Sequence, residues 1–339
     1  MDKVATMPKP DRYKLFLETE ARCGIAVGLI EKDFWVCWIL RHLFSIPEFE
    51  SRILLKGGTT LSKIYRVIER FSEDIDLAVD YEMLGFNGNR NPMTDMSKQK
   101  RTRLLNEMMQ VCESYIASEF LSVLQTRIAG ILPDTTTWQL SIDVDDGHIV
   151  NFNYPQTIDS VGYLRQEVRL ELGTHAELIP NDHFKIHPYV AEYYPHVFQN
   201  VDCPVQSIKV ERTFWEKATI LHQEHFRTTD HAAPYRYSRH YYDMFEMAQR
   251  DQILQTALSQ PDLLKRVVKH KQLFYPRAWA RYDLAVPADL QLTPSKDWID
   301  YIKRDYNEMQ IMIFGDPPTF DGILEGLRNL ESAIRKMED

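Results

Sequence analysis

Apolar residues recur at helical spacing through residues 10–45, most densely from Leu29 to Leu40 and on to Leu43 and Phe44. Pro47 closes that segment, so a helical cap is expected over 1–47. Residues 52–55 form a short apolar run that meets Gly57 and Gly58 at once, which predicts a strand entering a tight turn. Leu61, Ile64, Tyr65 and Ile68 mark one face of a short helix, and residues 75–79 predict a second strand. Residues 85–97, rich in Gly, Asn and Pro, predict a loop. A long amphipathic helix follows, with Leu104, Leu105, Met108, Met109, Cys112, Tyr115 and Ile116 on its buried side. Residues 138–144 and 148–154 alternate apolar with polar around Asp145-Asp146-Gly147, the pattern of a hairpin, and 167–172 predict another strand. Beyond about residue 206 the pattern turns helical, over 206–225, 239–257, 261–271, 295–313 and 319–337. The layout is thus α+β: the cap at 1–47, a mixed α/β core at 48–180 and a helical C-terminal domain at 181–339.

Composition narrows this picture. The chain has 339 residues, and 40 basic against 49 acidic side chains leave a net charge of −9. That balance argues against a protein that coats nucleic acid indiscriminately, because such binding rests on phosphate neutralisation. The four cysteines, Cys23, Cys37, Cys112 and Cys203, form no CxxC pair and read as reduced thiols. The N-terminus lacks a signal-peptide core, and the apolar stretch at 34–40 is far short of a membrane span, so a cytoplasmic protein without membrane contact is expected.

The densest chemistry lies in Lys56-Gly57-Gly58-Thr59-Thr60-Leu61-Ser62-Lys63 and Arg70-Phe71-Ser72-Glu73-Asp74-Ile75-Asp76-Leu77. Strand side chains alternate faces, so Asp74 and Asp76 share one face while Ile75, Leu77 and Val79 share the other. Two neighbouring carboxylates repel, and a divalent cation with a taste for oxygen, Mg²⁺ or Mn²⁺, relieves the repulsion. Such a pair can hold the metal that bridges a nucleotide's phosphates. Gly57 and Gly58 let the backbone approach an anion at a helix start, and Thr59 or Thr60 could add a hydroxyl. Each half is weak alone; strand, GGT, helix and DxD together are specific.

This combination resembles motif I of the polymerase-β-like nucleotidyltransferases, and more narrowly the AbiEii/AbiGii-type nucleotidyltransferase toxins. Glu31-Lys32-Asp33-Phe34-Trp35, Val168-Arg169-Leu170-Glu171-Leu172-Gly173, Glu211-Arg212-Thr213-Phe214-Trp215-Glu216-Lys217-Ala218 and Arg239-His240-Tyr241-Tyr242-Asp243 resemble that family's later segments. His175 stands where an arginine is expected. The resemblance implies a polymerase-β-like core and a Mg²⁺-dependent enzyme. It would transfer a nucleoside monophosphate from a nucleoside triphosphate to RNA, with the tRNA 3′ end the leading acceptor. It further implies the toxin of a toxin–antitoxin or abortive-infection system with an AbiEi-like antitoxin as partner. Nucleotidylation of protein, and nucleotide-binding regulation without turnover, are the competing functions.

Asp74 and Asp76 are the metal candidates, and Gly57, Gly58, Thr59, Thr60, Lys63 and Ser72 the nucleotide-binding ones. Arg169 and Glu171 share a strand face, which makes Glu171 a candidate third carboxylate and proton acceptor, with Asp143 and Asp145 competing. Lys217 lies off the stripe of Val210, Phe214 and Leu221, so it is expected to project from the core toward the triphosphate. Glu211 or Glu216 would steady it or Arg212. Arg239 and Asp243 are spaced i, i+4 and can pair; Asp243 would fix Lys217, and Arg239 would lie near phosphate. Candidate RNA contacts are Lys98, Lys100 and Arg101, and Lys269, Lys271 and Arg277, the latter group interleaved with Phe274, Tyr275, Trp279 and Tyr282. His222, His225 and His231 lack zinc-site spacing and read as surface residues near a helix end.

Overall fold

A seven-stranded mixed sheet, in spatial order Gln139–Ile142, Ile149–Asn153, Val168–Gly173, Asp74–Val79, Ile53–Lys56, Cys203–Ile208 and Asn181–Ile186, organises the N-terminal part of the chain. The structure, a computed structural model, describes residues 1–72, 74–158, 165–231 and 235–338. It divides into two compact units, Met1–Ile64 with Ser72–Ser207, and Tyr65–Phe71 with Ile208–Asp339.

In the first unit the strands are β1 (Ile53–Lys56), β2 (Asp74–Val79), β3 (Gln139–Ile142), β4 (Ile149–Asn153), β5 (Val168–Gly173), β6 (Asn181–Ile186) and β7 (Cys203–Ile208). The helices are α1 (Asp2–Ala5), α2 (Lys9–Cys23), α3 (Val27–Leu43), the turn α4 (Gly57–Thr59), α5 (Lys98–Tyr115), α6 (Leu121–Ala129) and α7 (Tyr189–Tyr193). β1 and β2 are antiparallel, while β2 and β5 are parallel with Asp74 opposite Arg169 and Asp76 opposite Glu171. The alternation in β2 and β5 seats Ile75, Leu77, Val168, Leu170 and Leu172 in the core.

α3 is apolar nearly all round and buried to match. Its Trp35 stacks on Tyr154 at 5.6 Å and its Trp38 on Phe152 at 5.9 Å. Each such pair adds about 0.5–1.5 kcal/mol beyond the area it buries. The predicted hairpin forms as β3 and β4, with Gln139 opposite Asn153.

Several expectations are corrected. The short helix after the glycines continues only as a wide turn to Ile64, because Arg66 takes a left-handed φ of 50° and ends it. The chain then runs extended within the second unit, where Arg70 bridges Ile313 and Phe71 N–H donates to the Met312 carbonyl at 3.0 Å. Met109 is exposed, since it falls past the edge of the buried stripe of α5. The sequence pattern missed β6 and β7: β6 is a mostly polar edge strand that buries Ile186 alone, and β7 begins with Cys203-Pro204.

The second unit is helical, with α8 (Val210–His225), α9 (Ser238–Ala248), α10 (Asp251–Leu258), α11 (Pro261–Phe274), α12 (Ile299–Met309) and α13 (Phe320–Arg335). The expected helix 239–257 is two helices, because Arg250 adopts an extended conformation between them. Thr319 caps α13 by accepting from Gly322 N–H at 3.1 Å. Among the described residues no helix is long and apolar enough to cross a membrane. Cys37, Cys112 and Cys203 are buried free thiols.

Candidate active site

Three carboxylates of the first unit lie on one face of adjacent strands: Asp74 and Asp76 on β2, and Glu171 on β5 opposite Asp76. Neighbouring strands run about 4.8 Å apart, so register alone brings Glu171 alongside Asp76. Their side chains are 30%, 33% and 39% exposed, open enough to receive a ligand. Asp143 is placed differently. It follows β3, two strands further out, and its carboxylate accepts from Asn151 Nδ2 at 3.0 Å and from Asp145 N–H at 3.0 Å. Those hydrogen bonds hold its pKa below the ordinary value and commit it to the turn. Glu171, not Asp143 or Asp145, therefore accompanies the β2 pair.

Two cations share this face. Lys56, at the end of β1 and opposite Asp76, holds its Nζ 3.5 Å from Asp76 Oδ1. Arg169 lies 3.8 Å from Asp74 and 4.0 Å from Glu171.

The turn beside them explains the glycine pair. Gly57 has φ 75°, a left-handed conformation that favours glycine, and a Cβ there would collide with the Asp76 carboxylate. The bare backbone of the turn thus touches the acid directly. The two threonines behave otherwise than expected. Thr59 Oγ1 donates to the Asp74 carbonyl at 2.9 Å, and Thr60 Oγ1 meets Ser207 Oγ at 3.0 Å, both buried. Their hydroxyls tie the turn to β2 and β7. Lys63 also departs from expectation: it is buried in an ion pair with Asp33 and lies 3.7 Å from the centre of the Tyr189 ring. Burial opposes its charge, and Asp33 outweighs burial and raises its pKa. Ser72 is half-buried just ahead of β2, and Glu73, quoted in the motif, lies outside the described residues.

The donor set suits a hard divalent cation, being all carboxylate oxygen beside a backbone that approaches without a side chain. Among the described residues, however, no three His, Cys, Asp or Glu side chains are gathered closely enough to hold an ion as they stand. Asp74 and Asp76, with Glu171, are the residues that would hold it.

A second cluster occupies the second unit. Asp243 on α9 is fully buried and receives Arg70 through two contacts, Nε to Oδ1 at 2.7 Å and Nη2 to Oδ2 at 2.8 Å. Lys217 on α8 reaches the same carboxylate, Nζ to Oδ2 at 2.7 Å. Burial by itself would raise the Asp243 pKa, but Arg70 and Lys217 outweigh it and hold the carboxyl well below the usual range. Burial lowers the Lys217 pKa against the pull of Asp243. Burial, followed by the charge of Lys217, pushes the His240 pKa well below its ordinary value, and its Nδ1 lies 3.3 Å from Lys217 Nζ.

The expected Lys217–Asp243 pair is therefore present. Lys217 does not project from the core, because α8 is buried on nearly every side. Asp243 takes Arg70 as its bidentate partner where Arg239 was expected. Arg70 belongs to the same motif as Asp74 and Asp76, and only the fold brings it to Asp243, 173 residues away. Glu216 does steady Arg212, at 2.8 Å.

The family model for the nucleotidyl transferase AbiEii toxin of type IV toxin–antitoxin systems matches residues 38–326, most of the chain. The chain belongs to the AbiEii family. It is accordingly a nucleotidyltransferase toxin, an enzyme whose donor is a nucleoside triphosphate and whose partner is an antitoxin. The solved structure of MenT4, nucleotidyltransferase toxin Rv2826c from Mycobacterium tuberculosis H37Rv, is similar over 96% of this chain and 98% of that chain, with 14% identity and a TM-score of 0.43. No curated protein sequence matches the chain.

The remaining candidates divide by environment. Lys98 and Lys100 are exposed at the start of α5, as is Arg103, while Arg101 is half-buried and donates to the Pro92 and Thr94 carbonyls at 3.0 and 2.9 Å. In the second basic group Lys269 and Arg277 are exposed and Lys271 half-buried. Phe274 and Tyr282 are core residues, and Tyr282 donates to Gln223 Oε1 at 2.6 Å. Trp279 already carries Arg227 and Arg277 over its ring, at 4.7 and 5.5 Å. Phe274 and Tyr282 thus pack within the AbiEii-family protein, and Trp279 is half-buried beside two arginines. His222 is buried, contrary to expectation, with Nε2 2.9 Å from the Arg281 carbonyl and Nδ1 accepting from Gln291 N–H at 3.2 Å.

Proposed function

We propose that the protein transfers a nucleoside monophosphate from a nucleoside triphosphate to an RNA hydroxyl, with the 3′ end of tRNA as acceptor, Mg²⁺ as the metal and an AbiEi-like antitoxin as partner. The observation that carries the chemistry is the register of Asp74, Asp76 and Glu171 beside the bare Gly57 turn. A divalent cation held there would supply positive charge to offset the charge that builds up in an in-line transfer. Asp74 and Asp76 would hold it, and the Gly57-Gly58 backbone would approach the phosphates. The acceptor oxygen attacks the α-phosphorus, the bond to the β-phosphate oxygen breaks, and pyrophosphate leaves. Glu171 is the base that takes the acceptor's proton.

The RNA acceptor draws support from α5. Lys98 and Lys100 are exposed in the first turn of this helix, where the helix dipole disfavours cations, and Arg103 is exposed in the turn that follows. Sequences that break such a local rule do so most often at functional sites, and a phosphate backbone supplies the compensating charge.

The test incubates the purified protein with Mg²⁺ and each α-labelled nucleoside triphosphate, with tRNA, total RNA and cell lysate in parallel. Label on tRNA that disappears with Asp76→Asn is the expected result. Label in protein bands alone overturns the RNA acceptor, and no label anywhere overturns transfer.

A further inference from the structure

The face that carries Asp74, Asp76 and Glu171 also carries two cations, which offset part of its negative charge. Across the sheet, Lys56 on β1, Asp76 on β2 and Glu171 on β5 form one row, and Asp74 on β2 with Arg169 on β5 form the next. Cation and acid thus interleave along both directions of the face. The contacts are loose, at 3.5 Å for Lys56–Asp76 and 3.8 and 4.0 Å for Arg169 with Asp74 and Glu171. A committed charged hydrogen bond is about 2.7–2.9 Å. The second unit shows such a bond, since Arg70 and Lys217 sit 2.7 Å from Asp243. Arg169 is under-satisfied as well: its Nε is buried and makes no hydrogen bond among the described residues. The carboxylates stay a third exposed, while Asp243 is sealed.

We infer that Lys56 and Arg169 are resident counter-cations, which hold the carboxylates apart in the empty protein and give way when a divalent cation arrives. The inference rests on the reading of this face as the metal site. Their charges compete with the incoming ion for the same oxygens, so the protein binds metal more weakly than its three carboxylates alone would. Once displaced, Lys56 remains next to the Gly57 turn and Arg169 remains on the same sheet face two strands away, so positive charge persists where phosphate charge enters with the nucleotide. Lys56 and Arg169 are in this sense positioning residues that couple metal occupancy to nucleotide arrival. A purely structural cross-strand pair would stabilise the sheet and have no such effect on metal affinity.

The experiment titrates the full-length, nucleotide-free protein with Mn²⁺ at low ionic strength and follows the free-ion signal by electron paramagnetic resonance. Lys56→Gln and Arg169→Gln are each expected to tighten Mn²⁺ binding about 2- to 5-fold, the range that partly exposed ion pairs convert to. Lys56→Arg, which keeps the charge, stays near wild type. Unchanged or weaker binding in both Gln variants, with circular dichroism showing them folded, overturns the inference. Asp76→Asn separates the two levels of the argument. If it binds Mn²⁺ as wild type does, the metal-site reading fails; if it loses binding while the Gln variants gain nothing, only the counter-cation role fails.

Discussion

Asp243 shows how one buried charge is made tolerable. Its carboxylate has no access to water, and two cations, one of them bidentate, replace the lost hydration. Asp243→Asn keeps the shape and removes the charge, leaving Arg70 and Lys217 buried beside a neutral amide. A loss of about 3–5 kcal/mol is expected, measured by urea unfolding. The pH dependence has a definite sign. The folded-state pKa of Asp243 is depressed, so its stabilisation is complete above the ordinary carboxylate range near 4 and is lost as pH falls below it. Wild type should lose stability steeply below about pH 4, and Asp243→Asn should show a shallower acid slope. Equal slopes would mean that Asp243 does not carry the linkage.

At the scale of elements, the glycine turn is held from behind by a different buried pair. Lys63, at the end of the wide turn that follows Gly57–Thr59, is anchored to Asp33 of α3. Asp33 also accepts Tyr189 N–H at 2.7 Å, at the start of α7. One carboxylate therefore links α3, α7 and the turn after β1. Lys63→Met leaves Asp33 uncompensated and is expected to cost about 3 kcal/mol, read as a lowered thermal unfolding temperature. The double variant Lys63→Met with Asp33→Leu should recover part of that loss, because it removes both charges. If the double variant is no more stable than the single one, the pair is not the source of the effect.

For the molecule as a whole, the net charge of −9 and an RNA substrate are compatible, because positive charge is concentrated locally. The exposed cations at the start of α5 make this testable. Replacing Lys98, Lys100 and Arg103 together by Glu should weaken tRNA binding and flatten its salt dependence by about one unit of log–log slope per residue. Fluorescence anisotropy at several salt concentrations checks it, and an unchanged slope would take α5 off the RNA path.

What the chain determined by itself is local. The period-two alternation in β2 and β5 already put Asp74, Asp76 and Glu171 on solvent-facing sides, because strand geometry fixes face by parity. The strand–GGT–DxD succession was legible for the same reason, since a left-handed turn and two strands are short-range features. The spacing of Lys217 and Asp243 was legible only through the family likeness. What the tertiary structure decided is everything set by distant neighbours. It put Glu171 rather than Asp143 alongside Asp74 and Asp76, because strand order places β5 and not β3 beside β2. It turned Lys63, Thr59 and Thr60 inward, and it gave Asp243 to Arg70, a partner 173 residues away that no helical spacing could reveal. A side chain's face follows from backbone geometry within a few residues. Its partner follows from which surfaces burial brings together, and that is written in the packing of the whole unit.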